Sequence, residues 1–444
     1  MMQRPLTPAK AALLVTALMM AYALSFVDRQ ILALLVQPMQ ATLGISDTGF
    51  GLLQGLAFAL FYFSFGIPLG RMADRGNRRN LVAVAILLWS LMTMACGFAN
   101  SFLALFIFRA GVGIGEAALS PSAYSMIADS VPKHRLSLVL SLYSTGVHIG
   151  SGMALVLGGT LLSVFAASGE AGFLGTGMEP WRLVFIAVGA PGILLAALFL
   201  LLREPPRRHV GPVAEHMPTV RETFALVVKE RRLFAGLILG FAFHNGTLNA
   251  LLAWTPTFFE RSYGISPGEF GLFLGLATMG GGVLGLLIGG WVSDRLIVSG
   301  RNDTPIVMGL TAVTGAFLSG VAAIYAGSPR LSILFYGCAM FCLALPIGTI
   351  AAALQTIVPN RYRGQISALY LVSISIAGMT LGPGLPPFIS DMILADPLRI
   401  GDALALTLAG MALCSISFLL AGRRSYAQRY RAIHRSSEEQ GQTV

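Results

Sequence analysis

The chain has 444 residues, 55% of them hydrophobic and 11% charged, so there is too little polar surface to coat a soluble globule of this size. Its net charge of +10 suggests nucleic acid, but the basic residues lie in short stretches between apolar runs and do not form one patch or tail. Cys96, Cys338, Cys342 and Cys414 all fall inside apolar runs, which excludes a disulfide scaffold and reads as small core residues, with no metal site.

Runs of the roughly 20 apolar residues that cross a bilayer recur at about 11–36, 49–71, 80–100, 102–128, 136–166, 182–202, 233–259, 269–292, 305–326, 330–357, 364–389 and 403–421. Twelve membrane-spanning helices are predicted, because the runs are too long and too uniform for barrel strands. The first run holds Asp28 and Arg29 and has no small-residue cleavage site after it, so it is expected to stay in the protein.

Span one places Tyr22, Ser25, Asp28 and Arg29 within nine residues, and span four carries Arg109 and Glu116. Charges at mid-bilayer cost a few kcal/mol each on insertion scales, about 2.5–3.5, so these four are expected to face inward, pair, and serve function. Arg109 and Glu116 are two turns apart on one helix face, about 10 Å along the axis. Small residues around Glu116, and Pro121 after it, allow close helix approach and a broken backbone ladder. A carboxyl in such a place gains and loses its proton as the cavity is hydrated, so Asp28 and Glu116 are read as a proton-coupling unit, and Arg29, Arg109 and Tyr22 as binding groups for an anionic substrate. A buried ion-pair network that only locks the helices is the competing structural reading.

Between spans two and three runs Gly70-Arg-Met-Ala-Asp74-Arg75-Gly-Asn-Arg78-Arg79. An acid beside arginines at a helix end can make charge-assisted bonds across a seam in one conformation and release them in another, so Gly70, Asp74, Arg75 and Arg78, with Asp294 and Arg295 further on, are read as a gate. The long polar joint, 203–232, starts near Pro205-Pro206 and ends in an amphipathic run, Thr219–Arg232, expected to lie on the membrane surface. Span seven has no charge in its run but offers His244, Asn245 and Asn249 as further substrate contacts, although a His there, like His148 in span five, more often bonds to a neighbouring helix. Span eleven holds Gly378, Gly382-Pro383 and Pro386-Pro387, which read as packing and hinge points.

Lys and Arg number 24 in the segments on the side of the N-terminus and four on the other, Arg182, Arg261, Arg330 and Arg399. By the positive-inside rule both termini and the joint are cytoplasmic, and the basic excess reports topology and contact with anionic lipid. The chain also repeats itself. Gly44-Ile-Ser-Asp-Thr-Gly-Phe-Gly51 returns as Gly264-Ile-Ser-Pro-Gly-Glu-Phe-Gly271, Asp74-Arg75 as Asp294-Arg295, and Val131-Pro132 with Arg135 as Val358-Pro359 with Arg363. Two six-span halves of the same orientation are therefore expected, as parallel repeats: 1–202 and 233–421, joined by 203–232 and followed by a basic tail, 422–444.

These features resemble the major facilitator superfamily. The 70–79 loop matches its Gly-x-x-x-Asp-Arg-x-Gly-Arg-Arg pattern except that Asn77 replaces the second Gly, and Gly290-Trp-Val-Ser-Asp294-Arg295 is a degraded second copy. Gly378 to Pro383 resembles half of the family's exporter signature, which normally lies in span five. With Ser25-Phe-Val-Asp28-Arg29-Gln30 and Gly113-Ile-Gly-Glu116-Ala, the chain is most similar to bacterial Spinster-type transporters. That resemblance implies an all-α integral membrane fold of twelve helices in two pseudo-symmetric bundles. It also implies a proton-coupled carrier of an amphipathic, lipid-like substrate, working by alternating access as a monomer in a bacterial inner membrane, without cofactor or nucleic acid. An organic-anion or multidrug carrier fits the same charges. A polytopic membrane enzyme does not, for no Ser–His pair, His-Glu-x-x-His run or aspartyl motif is present at suitable spacing, and no filter-like repeat suggests a channel.

Overall fold

A computed structural model of the chain describes residues 7–167, 176–207, 219–358 and 362–439. Gly172, the 208–218 part of the expected joint, and Pro359 of the echoed Val-Pro pair lie outside the described residues.

Every regular element among the described residues is helical. Among the described residues, twelve segments are long and apolar enough to cross a membrane: Pro8–Leu34, Asp47–Arg75, Arg78–Cys96, Phe102–Ser130, Leu138–Ala166, Pro180–Leu201, Arg231–Tyr263, Pro267–Val298, Thr304–Ile324, Pro329–Ile350, Gln365–Ile393 and Pro397–Ile433. They correspond one to one with the expected spans, which are numbered here in the same order. Several run further than hydropathy suggests. Span seven continues through Glu260 and Arg261, and span eleven through Asp391, so charge stands at the ends of these helices just beyond the apolar runs. A helix end tolerates charge that mid-bilayer does not, and a hydropathy window stops before it.

The repeated turn has one geometry in both copies. Gly44 and Gly264 close the preceding helices in the left-handed region, with φ of 63° and 65°, where a side chain would be strained. Ser46 then accepts the Gly49 N–H at 3.1 Å, and in the second copy the Ser266 N–H donates to the Glu269 carboxylate at 2.9 Å. Each bond satisfies a group that a helix start leaves open, so spans two and eight begin at equivalent places.

Spans one, four, ten and eleven are not continuous α-helices, whereas span seven, with His244, Asn245 and Asn249, is one from Arg231 to Tyr263. Span one is α-helical through Gln30 and tightens to a 3-10 turn over Ile31–Leu34. Span four divides into Phe102–Glu116 and Leu119–Ser130, and its counterpart span ten into Pro329–Ala344 and Ile347–Ile357. Pro346 explains the second break, since it has no N–H to give; in span four the break falls directly after the buried acid. Span eleven widens to π-helix over Ala377–Leu381 and again over Ile389–Ile393, a form found mostly as single turns at functional positions.

Two compact units make up the chain. The first comprises 1–209 together with Leu252–Met279 and Pro387–Ile400. The second comprises Val210–Leu251, Gly280–Pro386 and 401–444. Within the second, Leu233, Phe234, Phe241, Ile306, Leu354, Leu419 and Tyr426 form a buried cluster against which Leu226 and Val227 pack. Those two belong to a helix, Val220–Lys229, opened by a capping box between Thr219 and Glu222. Thr223 of the same helix donates to the Gln365 side chain at 2.5 Å. The amphipathic end of the joint is therefore a real helix, with one face committed to the core of the second unit.

Candidate functional site

Charge is buried where spans one and four pack. Gly113 lets span two close over the same site, because a Cβ there would lie 2.6 Å from the Phe58 carbonyl oxygen. Asp28 is 0% exposed, Arg109 1% and Glu116 2%, whereas the Arg29 side chain keeps 13% of its surface.

The carboxylate of Glu116 is held by Arg29, whose Nε and terminal nitrogen lie 2.6 Å and 2.5 Å from Oε2. The pair therefore crosses between spans; Arg109, two turns from Glu116 on its own helix, bonds instead to the main-chain oxygen of Asp28 at 3.0 Å. Asp28 has no cation bonded to its carboxyl among the described residues, and the Trp89 indole of span three is the donor nearest to it, short of full hydrogen-bond geometry; Glu116 Oε1 and Arg109 Nε have no partner there. Successive residues differ by about 100° around a helix. That rotation sends Asp28 into the bundle and Arg29 toward its more open side.

Aromatic rings fix the Arg29 guanidinium. Its carbon stands 4.7 Å from the Phe26 ring centre, 4.5 Å from Phe58 and 5.2 Å from Tyr62. Each such contact contributes roughly 0.5–2 kcal/mol. Phe58 also lies 5.9 Å from the Arg109 guanidinium, so one ring faces both cations. Tyr22 stacks on Tyr143, with ring centres 4.5 Å apart, and meets Phe26 edge-on at 5.2 Å. Tyr22 is thus brought to the Arg29 side of the site. The sequence reading missed Phe58, Tyr62 and Tyr143, since aromatics in an apolar span carry no signal of their own until a cation is placed beside them.

In the second unit the polar residues of span seven have backbone partners. His244 Nε2 lies 2.9 Å from the Leu343 carbonyl, Asn245 donates to the Ile374 carbonyl at 2.9 Å, and Asn249 to the Asn245 carbonyl at 2.9 Å. The Ile374 carbonyl lies just before the π-helical turn of span eleven, where the regular ladder is displaced, and Asn245 supplies a donor to it. A Cβ on Gly378 would overlap the Asn245 amide at 1.9 Å, so that turn needs Gly378.

The 70–79 loop divides in two. Arg78 is fully buried and ion-paired with Asp129 and with Glu204, the latter at 2.8 Å, and it donates to Ser125 Oγ at 2.7 Å and the Pro205 carbonyl at 2.8 Å. Arg78 thus ties spans three and four to the segment after span six, inside the first unit. Asn77, the departure from the family pattern, accepts the Asn80 N–H at 2.8 Å and caps span three. Gly70, Asp74 and Arg75 are not buried, and neither charged residue has a side-chain partner among the described residues. Of the second copy, Arg295 lies 4.2 Å over the Trp291 ring and Asp294 is exposed. Asp129 and Glu204 were not anticipated, because each stands alone in the sequence and acquires meaning only beside Arg78.

Twelve spans in two tandem repeats, with ion pairs buried inside one of them, define a polytopic membrane carrier. The chain belongs to the Major Facilitator Superfamily, whose sequence profile matches residues 18–383. It is a transporter and not an enzyme. It is 31% identical over 426 residues, 94% of either chain, to an MFS-type efflux pump of Mycolicibacterium smegmatis. It is 28% identical over 410 residues to human protein spinster homolog 1, covering 87% of this chain and 74% of that one. A solved bacterial homolog of the human lysosomal transporter Spinster, inward-facing and unoccupied, superposes with a TM-score of 0.76 at 28% identity, covering 97% of this chain and 98% of that one.

Proposed function

We propose that the chain is a proton-coupled secondary transporter that moves an amphipathic substrate with an anionic head by alternating access. The observation that carries the reading is the buried set in spans one and four, with Glu116 paired to Arg29 and Asp28 bonded to no cation among the described residues. A buried ionised carboxylate with unsatisfied oxygens is costly, so Asp28 is stable there either protonated or hydrated. Glu116 and an anionic head compete for one guanidinium. Protonating Glu116 ends the competition, while Phe26, Phe58 and Tyr62 keep Arg29 in place to receive the ligand. Arg109, which is buried against the Asp28 carbonyl, positions that acid. His244, Asn245 and Asn249 are assigned to the packing of span seven on its neighbours.

The substrate class follows from the aromatic surface around Arg29, which suits an apolar tail next to a charged head, and agrees with the likeness to Spinster proteins. An organic-anion or drug exporter is the second reading, favoured by the likeness to the mycobacterial efflux pump. Purified protein in liposomes with an imposed pH gradient decides between them. Proton-driven movement of single-chain anionic amphiphiles, with little movement of compact anions, supports the first reading; compact anions moving equally well supports the second. If no cargo responds to the gradient, proton coupling is wrong.

The imbalance of 24 basic residues against four supports an orientation with both termini cytoplasmic, which we propose for a bacterial inner membrane, with halves at 1–202 and 233–421, a joint at 203–232 and a tail at 422–444. Single cysteines replacing Gly211 and Ser437 are then labelled by an impermeant reagent only in inside-out vesicles, and one replacing Gly172 only in intact cells. Labelling of the Gly211→Cys variant in intact cells would overturn this orientation.

A further inference from the structure

The repeated Gly-Ile-Ser turn is followed by Asp47 in the first copy and by Pro267 in the second. Asp47 is buried, and its two carboxylate oxygens receive Arg261 of span seven in a fork, at 2.5 Å and 2.7 Å. The same guanidinium donates to the Pro397 carbonyl at 2.8 Å and to the Gln40 side-chain oxygen at 3.1 Å, while the Gln40 amide donates to Asp47 at 2.6 Å. Beside it, the Thr48 main-chain N–H and hydroxyl both donate to Asp391, at 2.8 Å and 2.7 Å. All of these residues lie in the first compact unit, so Leu252–Met279 and Pro387–Ile400 are bonded there to helices of the other repeat. The backbones meet as well: a Cβ on Gly152 would stand 2.5 Å from the Gly275 carbonyl oxygen.

None of these groups takes part in the proton and substrate chemistry above. We propose that Asp47, Arg261 and Asp391 are gating residues, forming a lock at this end of the spans that breaks and re-forms once in each transport cycle. The inference rests on the transporter reading. A buried forked pair is stable only while its geometry is complete, because half-separated charges have lost each other and have not yet regained water. Once the spans part far enough for water to enter, both charges are hydrated and the open form is stable too. The pair therefore favours two end states over anything between them, as a carrier that must never be open at both ends requires. Only one copy of the turn has the acid, so the lock is a single charge pair and its polarity can be reversed.

Spin labels on cysteines replacing Ala41 and Ser262, both exposed, report the lock in the full chain in lipid nanodiscs without any substrate. The parent protein should give mainly a short distance, and Asp47→Asn should raise the share of long distances at least threefold. The double variant Asp47→Arg, Arg261→Asp should restore the short distance. Thr48→Val, which removes one bond and no charge, should act in the same direction as Asp47→Asn but less strongly, and stands in if Asp47→Asn does not fold. Unchanged distances in both Asp47→Asn and Thr48→Val, or no recovery in the reversed pair, would overturn the lock. Failure to transport any cargo with the expected distance changes intact would count against the substrate reading and leave the lock standing.

Discussion

Replacing Glu116 by Gln is expected to make binding of an anionic amphiphile nearly independent of pH and, at alkaline pH, at least tenfold tighter than in the parent protein. Tenfold corresponds to about 1.4 kcal/mol, just below the net contribution of one hydrogen bond to a charged group, about 1.5–3 kcal/mol, so tenfold is the lower bound. Gln keeps the shape of Glu116 but not the charge that holds Arg29 at 2.5 Å. The guanidinium stays among Phe26, Phe58 and Tyr62, so the site is freed without being dismantled. Asp28→Asn behaves differently, because Asp28 has no cation on its carboxyl to release. It should leave affinity within a few-fold while abolishing uphill transport driven by a pH gradient and sparing downhill exchange. Binding isotherms across pH, with uptake in liposomes, separate the two residues. If both variants keep the parent's pH dependence, the charges are a structural network and proton coupling lies elsewhere.

Most of the fold was legible because a bilayer leaves few choices: an apolar run of about 20 residues can only be a helix, and a repeat with an even number of spans can only lie parallel to itself. The membership of the buried site was legible for the same reason, since Asp28, Arg29, Arg109 and Glu116 are too costly inside a span to be incidental. Their pairing was not. Spacing on one helix suggested Arg109 with Glu116, but two residues seven apart stand about 10 Å from each other along the axis, whereas Arg29 of span one reaches the Glu116 carboxylate directly. Asp47 and Arg261 were illegible for another reason. Each falls at a span end, where charge is unremarkable, and 214 residues separate them. Asn77 is the reverse case: its departure from the family pattern is explained by its local role as a cap.

Arg78→Ala should be the most destabilising single change in the 70–79 loop, and Asp74→Asn, four residues away, should leave stability unaltered while changing the conformational balance. Arg78 is enclosed, with Asp129 and Glu204 both directed at it and a carbonyl accepting from it. Removing the cation takes the guanidinium from both carboxylates, although Glu204 keeps the Arg79 N–H at 2.7 Å, and breaking a buried pair in this way costs about 3–5 kcal/mol. Arg78→Lys should recover only part of the loss, because one ammonium cannot reach Asp129, Glu204, Ser125 and the Pro205 carbonyl as the planar fork does. Asp74 is exposed and unpaired among the described residues, so no contact seen here is lost with it. The gating role we propose for Asp74 therefore requires another conformation, one in which it meets a partner. Asp74→Asn is accordingly expected to match the parent in thermal melting in detergent while lowering the outward-facing fraction, read from spin-label distances between the inner ends of spans two and eleven. Equal melting of Arg78→Ala and the parent would show that the buried cluster contributes little to stability, and an unchanged distance distribution in Asp74→Asn would return this loop to a topology signal.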